Sequence, residues 1–193
     1  VDRWVADAVR NFQLIHAGLD VAPILAELEA VPEWGQYAER KERDGTAHGA
    51  MTDLWIRYFP HETLKEPADF NRPGQCVFYP VWHRLPSIHP IVWSLMASQH
   101  SVELGGILCT RLPPGGRIQR HSDRGAWHAE RYNFKCYVVL QANARCVVEC
   151  DGDEQVFRPG EIFEFDNLRP HSMSNEGSDM RTTLIICLRV ETC

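Results

Sequence analysis

Residues 107–123 read Ile107-Leu108-Cys109-Thr110-Arg111-Leu112-Pro113-Pro114-Gly115-Gly116-Arg117-Ile118-Gln119-Arg120-His121-Ser122-Asp123. A β-prone run comes first, then a Pro-Pro-Gly-Gly turn signal, then a second short segment ending in His-Ser-Asp. The same grammar continues to the end of the chain. Tyr132–Gln141, Arg145–Cys150, Gln155–Arg158, Ile162–Asp166, Ser172–Ser174 and Thr182–Val190 are short strand candidates. Asn143, Asp151-Gly152-Asp153, Pro159-Gly160, Asn167 and Asn175-Glu176-Gly177 separate them. Short strands at this regular spacing, with turn residues between them, predict an all-β barrel or sandwich of jelly-roll type.

Upstream the pattern changes. Trp4, Val5, Ala8, Phe12 and Ile15 recur at spacings of three and four, which predicts a helix over 2–15 with Asp2 at its start. A second helix is expected over Ala22–Ala30, with Pro23 in its first turn and Pro32 just beyond it. Residues 33–50 read as a charged loop, Leu54–Phe59 as a strand, 60–75 as an irregular connection and Val77-Phe78-Tyr79 as a short apolar stretch. A third helix is predicted from Ile88 to Gln99. The expected layout is one domain over 1–193. Its 1–100 part is mostly helical with one or two strands, and N-terminal helices pack on a β core at 105–190.

The chain has 193 residues and a net charge of −6, with no block of Lys or Arg. Neither a nucleic-acid partner nor a membrane-surface role is expected from that balance. No apolar run approaches the length of a membrane span, and no basic segment followed by an apolar one marks a signal peptide. Seven cysteines, an odd number without a Cys-x-x-Cys pair, read as reduced core residues and hence as a cytoplasmic protein.

In a strand, residues two apart point the same way, so His121 and Asp123 can reach one ion. His171 follows the Asp166-Asn167 turn, and Arg181 opens the last strand. Two imidazoles and one carboxylate cap one face of a metal octahedron and leave the other face open. An arginine at a strand mouth suits two-pronged binding of a carboxylate. Each residue alone has a plainer reading: Asp123 as a turn former, His121, His171 and Arg181 as surface groups. The ordered combination argues for a metal centre. Arg117, Arg120, Arg124 and Arg131 crowd around it, either for an anionic group or as a solvated rim. Trp127, Trp82 and Trp55 are pocket or core residues.

Four segments, Arg111–Asp123, Arg131-Tyr132-Asn133, Pro159-Gly160-Glu161 and Phe165–Arg181, resemble the aspartyl/asparaginyl β-hydroxylase family of Fe(II)- and 2-oxoglutarate-dependent dioxygenases. The resemblance covers roughly residues 105–190. It implies a mainly β fold with some α, a double-stranded β-helix (jelly-roll or cupin-like) with iron at its mouth. It assigns His121, Asp123 and His171 to Fe(II), Arg181 to the distal carboxylate of 2-oxoglutarate, and the last metal position to dioxygen. Some relatives lack the carboxylate ligand, so Asp123 places this chain with the three-ligand branch that includes proline 3-hydroxylases. Relatives commonly carry an arginine followed closely by histidine; here Arg131 precedes Asn133. Arg131 is therefore expected to contact a carboxylate of cosubstrate or substrate.

The implied activity is hydroxylation of a C–H bond in an amino-acid or peptidyl side chain of Asp/Asn type, with succinate and CO2 as co-products. The partner would be a small amino acid or a peptide or protein, contacted by Arg117, Arg120, Trp127 and Asn133. Ser172 and Asn175 are candidates to steady His171, with turn formation as the alternative. Two other classes stay open: a cupin-like module that holds metal and a small acid without turnover, and a zinc hydrolase on the same ligands.

Overall fold

A computed structural model describes residues 11–37, 47–70, 74–123 and 131–191. Its frame is a pair of antiparallel sheets. The larger has seven strands in the order β1-β9-β6-β11-β4-β2-β3, and the smaller has four in the order β5-β10-β7-β8. In chain order the strands are β1 Phe12–His16, β2 Thr52–Tyr58, β3 Val77–Phe78, β4 Ser101–Leu112, β5 Arg117–His121 and β6 Phe134–Gln141. Then come β7 Cys146–Cys150, β8 Asp153–Gln155, β9 Ile162–Phe165, β10 His171–Asn175 and β11 Arg181–Val190. Helix α1 spans Ala22–Glu29 and α2 spans His89–Ser98.

The large sheet is buried on both faces, which explains the nearly continuous apolar runs of β4, β6 and β11. One face packs under the helices: Ile24 and Leu28 of α1 and Val92 and Leu95 of α2 join Ile107, Cys109, Val138, Leu184 and Ile186 in one core. The other face meets the small sheet, where Leu112, Tyr137, Val139 and Phe163 pack with Val148, Cys150 and Met173. Alternation along β11 therefore sends Leu184 and Ile186 toward the helices and Arg181, Thr183 and Ile185 into the space between the sheets. The six cysteines among the described residues are buried and unbridged, as expected of core thiols. Among the described residues no helix is long and apolar enough to cross a membrane.

The turn chemistry follows the sequence. Gly116 N–H donates to Pro113 O at 2.9 Å, closing the Pro-Pro-Gly-Gly turn, and Gly115 takes a φ of +72° there. Asp151 and Gly152 both have positive φ, as the two-residue hairpin between β7 and β8 requires.

One expectation needs correction. The helix predicted over 2–15 is a strand where it is described: Phe12–His16 pairs antiparallel with β9, Phe12 opposite Phe165. Residues 2–10 lie outside the described residues. Phe12 packs its ring edge against Phe157 at 5.7 Å, and hydrogen bonding to β9 outweighs the helical spacing of the apolar positions. Residues 11–100 thus hold two α-helices, three strands and short 3₁₀ turns among the described residues.

Gly105 sits where β4 passes the ring of buried Tyr132. A Cβ there would lie 2.6 Å from a ring carbon. Gly105→Ala is expected to destabilise the fold by about 1–3 kcal/mol through overpacking, read as a lower urea midpoint with an unchanged slope.

Candidate metal centre

Strand β10 lies between β5 and β7, and its register with β5 sets His171 directly opposite His121. The two rings stand 4.3 Å apart between centroids. Asp123 follows two residues beyond His121, and its backbone N–H donates to Asn167 O at 2.9 Å, which ties it to the turn before β10. One ligand atom from each of His121, Asp123 and His171 falls within 4.8 Å of the others.

The histidines are oriented alike. His121 Nδ1 bonds Gln119 O at 2.7 Å, and His171 Nδ1 bonds Arg169 O at 2.9 Å. A carbonyl can only accept, so each Nδ1 carries a proton, and the tautomer this selects presents Nε2 to a metal. Burial pushes the His171 pKa below its ordinary value; Asp123 and the Arg169 carbonyl oppose that, and His121 and Lys135 reinforce it. The net direction keeps His171 neutral, the form that binds metal. Asp123 Oδ1 faces His121 Nε2 at 3.5 Å, while Oδ2 accepts hydrogen bonds from Lys135 Nζ and, at 2.9 Å, from Asn167 Nδ2.

A cavity between the sheets runs from these three residues to Arg181, with Lys135 and Thr183 on its walls. Arg181 is 4% exposed. Burial lowers its pKa to about 10, and the groups that favour its charge are the Cys146 thiol and the Tyr137 hydroxyl; no carboxylate among the described residues pairs with it. The Thr183 hydroxyl, two residues along the same face, is buried without a hydrogen-bond partner among the described residues. A buried guanidinium and an unmatched hydroxyl are costly unless an anion meets them. Two imidazoles and a carboxylate are the donor set of a mononuclear Fe(II) oxygenase site, and the Arg181–Thr183 end fits the far carboxylate of a dicarboxylate. The residues present thus fit iron and 2-oxoglutarate.

Other expected site residues lie elsewhere. Arg117 pairs with Glu176 and Arg120 with Glu149 at 2.5 Å, both with exposed side chains. Ile118 and His121 turn inward and leave these arginines outside. Arg131 binds Glu103 at 2.9 Å, and Asn133 exchanges two 2.9 Å hydrogen bonds with Val190. Glu103 faces Arg189 in the β4–β11 register, eight residues from Arg181, or about 26 Å along the strand. In this structure Arg131 and Asn133 are thus engaged with Glu103 and Val190; Asn133 lines a recess with Lys135 and Asn167, and neither lines the cavity that holds His121, Asp123, His171 and Arg181. Trp55 and Trp82 belong to the helix-side core, and Trp127 and Arg124 lie outside the described residues. Ser172 donates to Glu149, and buried Asn175 binds Leu112 O and Asp179 O, so neither touches His171 through its side chain.

Three residues at or beside the cavity escaped the sequence reading. Lys135 was legible in principle, as a lone lysine inside the apolar run of β6. Asn167 read only as a turn former. His48, whose ring meets that of His121 at 4.7 Å, comes from a glycine-bearing loop that carries no signal.

Fold and site together define a class: a β-sandwich whose cavity pairs a His-Asp-His cluster with a buried arginine. The family model described as aspartyl/asparaginyl β-hydroxylase matches residues 11–190, and the chain belongs to that family. Solved structures agree in fold. The 2-oxoglutarate complex of a viral collagen prolyl hydroxylase from Paramecium bursaria Chlorella virus-1 is 12% identical with a TM-score of 0.56, over 95% of this chain and 97% of that one. An oxidoreductase of the 2OG-Fe(II) oxygenase family from Burkholderia pseudomallei is 14% identical with a TM-score of 0.56, over 88% and 77%. A Pseudomonas putida prolyl-4-hydroxylase is 14% identical with a TM-score of 0.51, over 94% of each chain. Among curated proteins none matches this chain.

Proposed function

We propose that this chain is an Fe(II)- and 2-oxoglutarate-dependent hydroxylase of an amino-acid or peptidyl side chain of Asp/Asn type. The observation that carries the reading is the buried Arg181, without a carboxylate among the described residues, at the opposite end of one cavity from His121, Asp123 and His171. Family membership supports the substrate class.

When bound, Fe(II) with 2-oxoglutarate and dioxygen supplies the oxidising power for C–H hydroxylation. Substrate, 2-oxoglutarate and O2 become alcohol, succinate and CO2. The chain's own residues do the positioning. The Nδ1 contacts aim both imidazoles, and Arg181 with Thr183 holds the distal carboxylate in a dry pocket, where charge-assisted bonds are strong. The apolar wall of Leu112, Ile118, Tyr137 and Ile185 keeps water from the space between.

The test is succinate release by the purified chain with Fe(II), 2-oxoglutarate and a panel of free amino acids and Asp- or Asn-containing peptides. The expected result is substrate-stimulated succinate together with a product heavier by one oxygen. Binding of Fe(II) and 2-oxoglutarate with no succinate from any candidate would instead favour a non-catalytic binding module.

A further inference from the structure

We infer that Lys135 and Asn167 are positioning residues that hold Asp123 to one-oxygen metal binding and so keep a metal position open for 2-oxoglutarate. The inference rests on the proposed hydroxylase reading and concerns how this chain secures it.

A carboxylate beside a divalent cation can bind through one oxygen or both. An octahedral ion has three positions left after His121, His171 and one oxygen of Asp123. A 2-oxo acid takes two of them and dioxygen the third. If Asp123 chelated with both oxygens, one of these positions would be lost. The structure opposes that outcome on the carboxylate itself. Lys135 Nζ and Asn167 Nδ2 both donate to Oδ2, leaving Oδ1 on the side of His121 Nε2.

Both donors are built into the fold. Lys135 is 8% exposed on an otherwise apolar strand, and its side chain reaches from the large sheet to a ligand beside the small one. Burying an ammonium there is costly unless it is paired, and Asp123 pairs it. Asn167 is 9% exposed and grips Asp123 twice, through its side-chain amide and through its carbonyl, which accepts the Asp123 N–H. Asn167 does not line the cavity between the sheets. It lines an adjoining recess with Asn133, Glu164 and Leu168, whose walls Lys135 and Phe165 share with that cavity. The hydrogen bond its side chain makes toward the metal cluster is to Asp123 Oδ2.

Asn167→Ala is the decisive variant, because it removes the side-chain bond to Asp123 while the backbone tether survives. Lys135→Met, which keeps the stem and removes the charge, is the second. Mn(II) serves as the probe ion. Its affinity is measured by calorimetry on the whole chain, and 2-oxoglutarate is then titrated at saturating Mn(II). Outer partners of metal ligands cost about 10–100-fold when removed, and here about tenfold or more is expected in 2-oxoglutarate affinity for the Mn(II)-loaded variants. The water-proton relaxation of Mn(II) protein without 2-oxoglutarate is expected to fall as an exchangeable position closes. A purely structural role would instead lower Mn(II) affinity and thermal stability and leave 2-oxoglutarate binding at saturating metal unchanged. The inference is overturned if Mn(II)-loaded Asn167→Ala binds 2-oxoglutarate within about twofold of the native chain. If Lys135→Met does not fold, Asn167→Ala decides alone. Failure of the native chain to bind Mn(II) or 2-oxoglutarate would overturn the hydroxylase reading and this inference together.

Discussion

His171→Ala is expected to abolish Fe(II) binding and, with it, every trace of substrate-dependent succinate. His171 is the ligand most firmly embedded in the fold. It sits on β10 between two hydrogen-bonded neighbours, buried, with Nδ1 fixed by the Arg169 carbonyl and Nε2 free. Alanine removes the metal-binding nitrogen and leaves two ligands, one of them an aspartate already held by Lys135 and Asn167. The loss in metal affinity should exceed the roughly 10–100-fold that follows from removing an outer hydrogen-bond partner. Metal content after anaerobic loading and gel filtration reads it directly, and a urea titration of the apo protein checks that the fold survives. Normal turnover by this variant would sink the site assignment.

The second large effect is expected at Arg181. Truncating one partner of a buried charge pair costs about 2–5 kcal/mol, so Arg181→Met should weaken 2-oxoglutarate binding roughly 30-fold to several-thousand-fold. Metal affinity should hold, because Arg181 stands at the opposite end of the cavity from the three ligands. The same variant makes a second, opposite-signed prediction. In the apo chain the guanidinium is buried with no carboxylate partner among the described residues, and an apolar side chain of similar length relieves that cost. Apo Arg181→Met is therefore expected to melt higher than the native apo chain, while 2-oxoglutarate, which should raise the native midpoint by mass action, raises the variant's by less at the same concentration. Arg181→Lys would not restore native affinity, since an ammonium cannot supply the planar two-pronged contact. A variant that bound 2-oxoglutarate as the native chain does would remove Arg181 from the cosubstrate site.

The β half of the molecule was readable because its signals are local. Pro113-Pro114-Gly115-Gly116 and Asp151-Gly152 impose backbone conformations that few other residues adopt, and the runs between them alternate or stay apolar as strands do. The helix over Ala22–Glu29 was equally local, with proline in its first turn. The segment Phe12–His16 was not, because its strand exists only as a partner of β9, which lies about 150 residues later in the chain. The arginines show the same limit. Arg117, Arg120 and Arg131 stand as near to the metal motif in sequence as any ligand, yet each meets a carboxylate away from the cavity. Which way a side chain points near a strand end depends on register and bulges, and the β5–β10 pairing shifts register between His171 and Met173.

By itself, then, the sequence determined the class of fold and singled out His121, Asp123, His171 and Arg181, which the structure brings to one cavity. Residue type, spacing and turn signals are properties of a short stretch of chain. Only the tertiary structure decided what surrounds them. It set His121 opposite His171, carried Lys135 across from the other sheet, brought Asn167 behind Asp123 and His48 beside His121, and left Arg181 buried and facing the same cavity. Those relations join residues far apart in the chain through strand pairing and sheet packing, and they are settled by which faces the two sheets bury against each other.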